Sequence, residues 1–97
     1  MQTIQDYKFY KDLAALPFVK EIWLFGSRAR GDNQDRADID LAVSCTATFQ
    51  DWAAVQEIID GADTLLKIDC VRLNELGDTS ALKQSILTQG IKLYEKL

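Results

Sequence analysis

Residues 24–43 read LFGSRARGDNQDRADIDLAV, and no other part of the chain constrains the architecture as tightly. An apolar strand end at Leu24-Phe25 runs into a Gly26-Ser27 turn and a short arginine segment. A polar loop over 32–36 follows, then a second strand over 38–44 that carries two aspartates. Side chains alternate across a strand, so Asp38, Asp40 and Ala42 share one face while Ile39, Leu41 and Val43 share the other. Burying the apolar face leaves two carboxylates side by side on the opposite one. That is costly unless something positive sits between them.

A divalent cation suits the pair. Hard oxygen ligands at this spacing fit Mg²⁺, which keeps several waters and binds through one or two carboxylates plus substrate phosphates. The Gly26-Ser27 turn supplies the complementary half: glycine lets a phosphate approach the backbone, and the N–H groups that follow can point at it. Ser27 adds a hydroxyl, and Arg28 and Arg30 offer planar forks to phosphate oxygens. Taken singly, each feature has a plainer reading, as a solvated strand face, an ordinary turn or two surface arginines. Their order is the informative part.

In that order the segment resembles the minimal nucleotidyltransferases of the DNA polymerase β-like superfamily. Their signature is Gly-Ser, an Ala-Arg-Gly segment, a short loop, then Ser-Asp-x-Asp-Leu. The chain carries Gly26-Ser27-Arg28-Ala29-Arg30-Gly31 and Ala37-Asp38-Ile39-Asp40-Leu41. Ala37 departs from the family's usual serine, which removes a hydroxyl contact but no metal ligand. The resemblance spans Val19 to about Leu73 and continues more loosely to the C-terminus.

Composition sets the bounds. At 97 residues, the chain is expected to form one domain over 1–97 with a modest core. A hydrophobic fraction of 47% is ordinary for a globular protein. No apolar run approaches a membrane span and no signal-peptide pattern opens the chain, so a cytoplasmic location is expected and no membrane partner. The absence of histidine excludes a Ser-His-Asp arrangement and a histidine-ligated zinc site. Cys45 and Cys70 are too few and too far apart for a metal knuckle and read as free thiols, with a disulfide left open. A net charge of −4 argues against a large nucleic-acid footprint, so no direct nucleic-acid binding is expected.

Outward from the central stretch, the spacing predicts a first helix over 3–16, with Thr3 and Asp6 as a capping pair, Tyr7 and Tyr10 as core or rim aromatics, and Pro17 at its end. Val19–Phe25 reads as the first strand, and residues 27–31 as one short helical turn. A second helix is predicted over 51–62, capped by Thr48 or Asp51, with Trp52, Val55, Ile58 and Ile59 on one face and Gly61 near its end. The run 64–73, TLLKIDCVRL, reads as a third strand with Lys67, Asp69 and Val71 on one face. A third helix over 80–89, with Leu82, Ile86 and Leu87 inward and Gly90 as its C-cap, precedes a last strand over 91–94. The expected fold class is α/β of the α+β type: a small mixed sheet with helices packed on one face, leaving the carboxylate face open, as in the polymerase β-like nucleotidyltransferase fold.

Asp69 is isolated in an apolar strand, and a buried unpaired carboxylate is costly. The family takes a third aspartate from just such a strand; pairing with Arg72 or a lysine is the alternative. The resemblance implies ATP or another nucleoside triphosphate as donor and pyrophosphate as leaving group. It also implies two Mg²⁺ ions, replaceable by Mn²⁺, about 3.5–4 Å apart, clamping an in-line displacement. Asp38 and Asp40 would hold both ions; Asp69 would ligate the ion nearer the acceptor and help take its proton. Gly26, Ser27, Arg28 and Arg30 would hold the β- and γ-phosphates. The chain is too short for the helical domain that larger relatives use to bind an acceptor. Small members of the family work beside an all-helical HEPN toxin, which implies a hetero-oligomer and AMP transfer to a tyrosine of that toxin. Two rivals stand beside this expectation: a non-catalytic antitoxin acting by occlusion, and an enzyme for a small hydroxylated acceptor such as an aminoglycoside.

Overall fold

Ile22, Leu24, Ile39, Leu41 and Val43, alternate residues of two neighbouring strands, are buried together on one side of a four-stranded sheet. The computed structural model describes residues 3–33, 37–45 and 49–96. Strands β1 (Val19–Phe25), β2 (Ile39–Cys45), β3 (Ile68–Arg72) and β4 (Ile91–Glu95) lie in the order β3-β2-β1-β4. β1 pairs antiparallel with β2 and β4, whereas β2 and β3 run parallel, so the sheet is mixed as expected. A parallel pair needs a crossover, and α3 (Phe49–Asp60) supplies it. Each fully buried Ile39, Leu41 and Val43 is worth roughly 1.5–3 kcal/mol over an exposed one. A slip of one residue would drive Asp38 and Asp40 into this core, so burial fixes the register.

α1 (Lys8–Ala15) and α3 cover the apolar face through Phe9, Tyr10, Leu13, Val55 and Ile59. The other face is not open along its whole length, which differs from the sequence reading. α4 (Ala81–Gln89) seats Ile86 against Ala42 and Leu73, flanked by Trp23, Phe25 and Val71. Only Ile86 turns inward; Leu82 and Leu87, expected inward, are exposed because the helix rests on the sheet through a single side chain. Ser80 caps α4, its Oγ accepting from the Lys83 N–H at 3.2 Å, and the Gly90 N–H closes it on the Ile86 carbonyl at 2.8 Å.

Several boundaries move for local reasons. The first helix is interrupted: Ile4–Asp6 forms a 3-10 turn, Tyr7 is extended, and α1 starts at Lys8. The Thr3/Asp6 capping pair is present, Asp6 accepting from the Thr3 N–H at 2.9 Å. Asp63 resets the helix by accepting from the N–H groups of Lys8 (3.1 Å) and Phe9 (3.2 Å). Those donors hold the Asp63 carboxyl below the usual carboxylate range. Its contribution to stability is therefore present above the ordinary value of 3.8 and is lost as pH falls through the lower folded-state value. Asp63→Ala is expected to lower the melting temperature at neutral pH by about 4 °C, and a melt series should show the gap closing in acid.

β3 begins at Ile68 rather than Thr64 because the Thr64 hydroxyl takes the Leu66 N–H at 3.1 Å, a local bond that competes with strand pairing. α3 starts at Phe49, ahead of the expected Asp51; Thr48, the alternative cap, and Gln34–Arg36 lie outside the described residues. Tyr10 is buried with its hydroxyl donating to the Leu93 carbonyl, and Tyr7 is half-buried, both as expected of structural aromatics. Cys45 and Cys70 are free thiols, and burial pushes the Cys70 thiol up to about 12.

Candidate active site

The sheet brings Asp40 onto its partly open face near one end, where β2 begins and β1 finishes. Antiparallel pairing sets Asp40 opposite Phe25, and parallel pairing sets it opposite Asp69. Residues directly across a ladder share a face, so the two carboxylates project the same way from adjacent strands. Asp38 stands just before β2, whose first residue is Ile39 rather than Asp38 as read from the sequence. Its side chain is exposed at the rim, while Asp40 and Asp69 are half-buried.

Gly26 shapes the space for Asp40. Its backbone (φ 75°, ψ −155°) lies in a region essentially reserved for glycine. A Cβ there would overlap the Asp40 carboxylate, lying 3.1 Å from its Cγ. The sequence reading gave Gly26 to a phosphate; in the structure it also makes room for a carboxylate.

The electrostatics are those of an unsatisfied anionic site. Asp40 is pushed above the ordinary carboxylate value first by partial burial, then by Asp69, then by Asp38. Arg28 and Arg30 pull the other way but do not cancel the rise. Among the described residues no three side chains already form a metal-binding cluster. The donor set is all oxygen and partly solvated. That fits Mg²⁺, which is usually bound by one or two carboxylates and substrate phosphates rather than enclosed by protein.

Around the turn, α2 (Ser27–Arg30) forms as expected, with Ala29 and Arg30 N–H groups both bonding to the Gly26 carbonyl. Ser27 is half-buried beside Gly26. Arg28 has a job that spacing did not reveal: its Nη2 donates to the Ala37 carbonyl at 2.8 Å, bracing the entry to β2. Arg30 is half in solvent and pairs with Asp32 at 3.2 Å, a weak surface contact easily exchanged for a phosphate.

Asp69 does not pair with Arg72. The buried Arg72 side chain binds Glu75 at 2.8 Å and lies over the Trp52 ring. The cation beside Asp69 is Lys67, with Nζ 3.5 Å from Oδ1. The sequence reading placed Lys67 on the same face as Asp69 and offered a lysine, unnamed, as an alternative partner; the two-residue spacing along the chain is what singles out Lys67. A separate concavity of about 370 Å³, lined by Pro17, Lys20, Glu21, Glu95 and Lys96, sits at the far end of β1 from Gly26 and carries none of these groups.

The chain is similar to known proteins in sequence and in fold. Residues 8–97 match the family model described as polymerase beta, nucleotidyltransferase. The protein adenylyltransferase MntA of Shewanella oneidensis is 31% identical over 98 residues, covering 97% of this chain and 68% of that protein. A crystal structure of a toxin-antitoxin with AMP-PNP superimposes with a TM-score of 0.67 at 28% identity, over 92% of this chain and 69% of that one. A mutant MntA-HpeT toxin-antitoxin gives 0.66 at 26% identity, over 92% and 69%. A match running from α1 to the last residue places the chain in the polymerase β nucleotidyltransferase family.

Proposed function

We propose that this nucleotidyltransferase moves AMP from ATP to a tyrosine hydroxyl of an all-helical HEPN-class toxin, serving as the antitoxin of a cytoplasmic pair. The observation that carries the reading is the Asp40–Asp69 pair in register, with Gly26 opening the space beside it. Support for the acceptor comes from the similar protein adenylyltransferase and toxin-antitoxin structures.

The chain's own residues have defined tasks in this scheme. Asp38 and Asp40 would hold the cation, which would offset carboxylate charge that Arg28 and Arg30 only partly relieve at Asp40. Bound there, Mg²⁺ would neutralise the charge that develops on the α-phosphate and the leaving pyrophosphate. Ser27 and Arg30 grip the phosphate tail, while Arg28 keeps β2 aligned with the turn. Asp69, in register with Asp40 on β3, would help hold the ion and would be placed to accept the proton of the incoming hydroxyl. With a net charge of −4, the protein offers a nucleic acid no comparable attraction.

Intact-mass spectrometry of the co-encoded partner after incubation with this chain, ATP and Mg²⁺ tests the proposal. One or more added AMP units on the partner are expected. A stable complex with no added mass would point to neutralisation by occlusion, and transfer only to a small hydroxylated compound would point to a different acceptor class. A second expectation concerns the phosphate tail. Ser27→Ala and Arg30→Ala should weaken ATP binding by about tenfold each and AMP binding far less, since charge-assisted contacts of this kind are worth about 1.5–3 kcal/mol. Titration calorimetry with both nucleotides checks this, and equal losses would place the two residues away from the tail.

A further inference from the structure

Lys67 is the cation on the aspartate face that the scheme above leaves unused. It stands one residue ahead of β3 and two before Asp69, and the pairing with β2 continues through its carbonyl, so the alternation of extended chain turns both side chains to the same side. Its Nζ lies 3.5 Å from Asp69 Oδ1. Its backbone is fixed against β2, the Lys67 carbonyl accepting from the Ile39 N–H at 2.9 Å, midway between Asp38 and Asp40. The register pairs Ile39 with Ile68, which sets Lys67 level with Asp38. The stem of the lysine is therefore held at the site, while its side chain remains 71% exposed and free to swing.

We propose that Lys67 is a tethered counter-ion of Asp69, a positioning residue that holds this carboxylate in the resting site and competes with the divalent cation for it. The inference rests on the nucleotidyl-transfer reading of the same face. An exposed ion pair at this distance is weak, so a doubly charged ion can displace the ammonium. Arg72, at the end of β3, is the contrast: 8% exposed at its side chain and 2.8 Å from Glu75, it is built to stay.

The consequence has a sign that a structural role would not produce. Removing the charge should tighten cation binding, whereas damage to the site would loosen it. For the full nucleotide-free chain, calorimetric titration with Mg²⁺ at low ionic strength should give a dissociation constant about three- to tenfold lower for Lys67→Gln than for the parent, a gap that shrinks with added salt. Lys67→Arg, which keeps the charge, should stay within about twofold of the parent. Tighter binding in Lys67→Gln with restoration by arginine supports the assignment. If the parent binds Mg²⁺ and Lys67→Gln binds it equally or more weakly, Lys67 is not a competing counter-ion. If the parent takes up no Mg²⁺, with ATP or without, the metal reading of the face falls and this inference falls with it.

Discussion

Asp40→Asn will stop nucleotidyl transfer and yet melt at a higher temperature than the parent in EDTA. Loss of an outer partner of a metal ligand typically costs 10- to 100-fold, so loss of the central ligand should cost on the order of 10³-fold or more. The stability change follows from the rise in the Asp40 pKa, caused by partial burial and by the neighbouring Asp69 and Asp38 carboxylates. A folded-state value above 3.8 means the folded protein binds more protons than the unfolded chain. Stability from this group is fully present below that value and is lost as pH climbs through the higher folded-state value. Asparagine removes the charge at little steric cost. The expected gain at neutral pH is about 1 kcal/mol, or roughly 4–8 °C, kept small by solvent on the half-exposed face. Mg²⁺ with ATP should raise the melting temperature of the parent by binding only the folded form, and should leave the variant unmoved. A variant that transfers nucleotide at near the parent rate, or that melts below the parent in EDTA, contradicts the assignment.

Gly26→Ala is the second large effect, and it acts on fold and site together. The backbone at Gly26 costs a non-glycine residue about 1–3 kcal/mol. Its Cβ would also need the space of the Asp40 carboxylate, which β2 holds by pairing Asp40 with Phe25 on one side and Asp69 on the other. Forcing one methyl into a filled space typically adds another 1–3 kcal/mol. The sum, about 2–6 kcal/mol, predicts a fall in melting temperature of at least about 8 °C for a domain of this size, with transfer lost because Asp40 is displaced. Gly31→Ala is the matched control: φ is also positive, at 82°, but a Cβ there meets nothing within 4 Å. It should cost only the backbone strain, about 1–2 kcal/mol. Equal losses in the two variants would show that the approach to Asp40 carries no weight.

The central stretch was legible because its logic is local. Period-two alternation alone sets Ile39, Leu41 and Val43 against the core and turns Asp38 and Asp40 away, and the structure places them so. Asp69 was legible as an acid in an apolar strand, and register carries it to Asp40. What the sequence did not disclose depends on contacts made across long separations. The break at Tyr7 exists because Asp63, 54 and 55 residues from the donors it binds, starts α1 afresh. Arg28 braces Ala37 only once the turn and β2 have met. The α4 helix reaches the second face through Ile86 alone, a choice that its apolar Leu82 and Leu87 conceal. Gly26 was recognised as a turn, but its closeness to Asp40 follows from strand pairing rather than from spacing.

A crystal structure of the chain with Mg²⁺ and an unhydrolysable ATP analogue tests the account most directly. The ion should lie between the Asp38 and Asp40 carboxylates, with the triphosphate tail against Gly26, Ser27 and Arg30 and the α-phosphate facing Asp69. A nucleotide seated instead in the concavity between Lys20 and Lys96, with no ion at the aspartates, would contradict it.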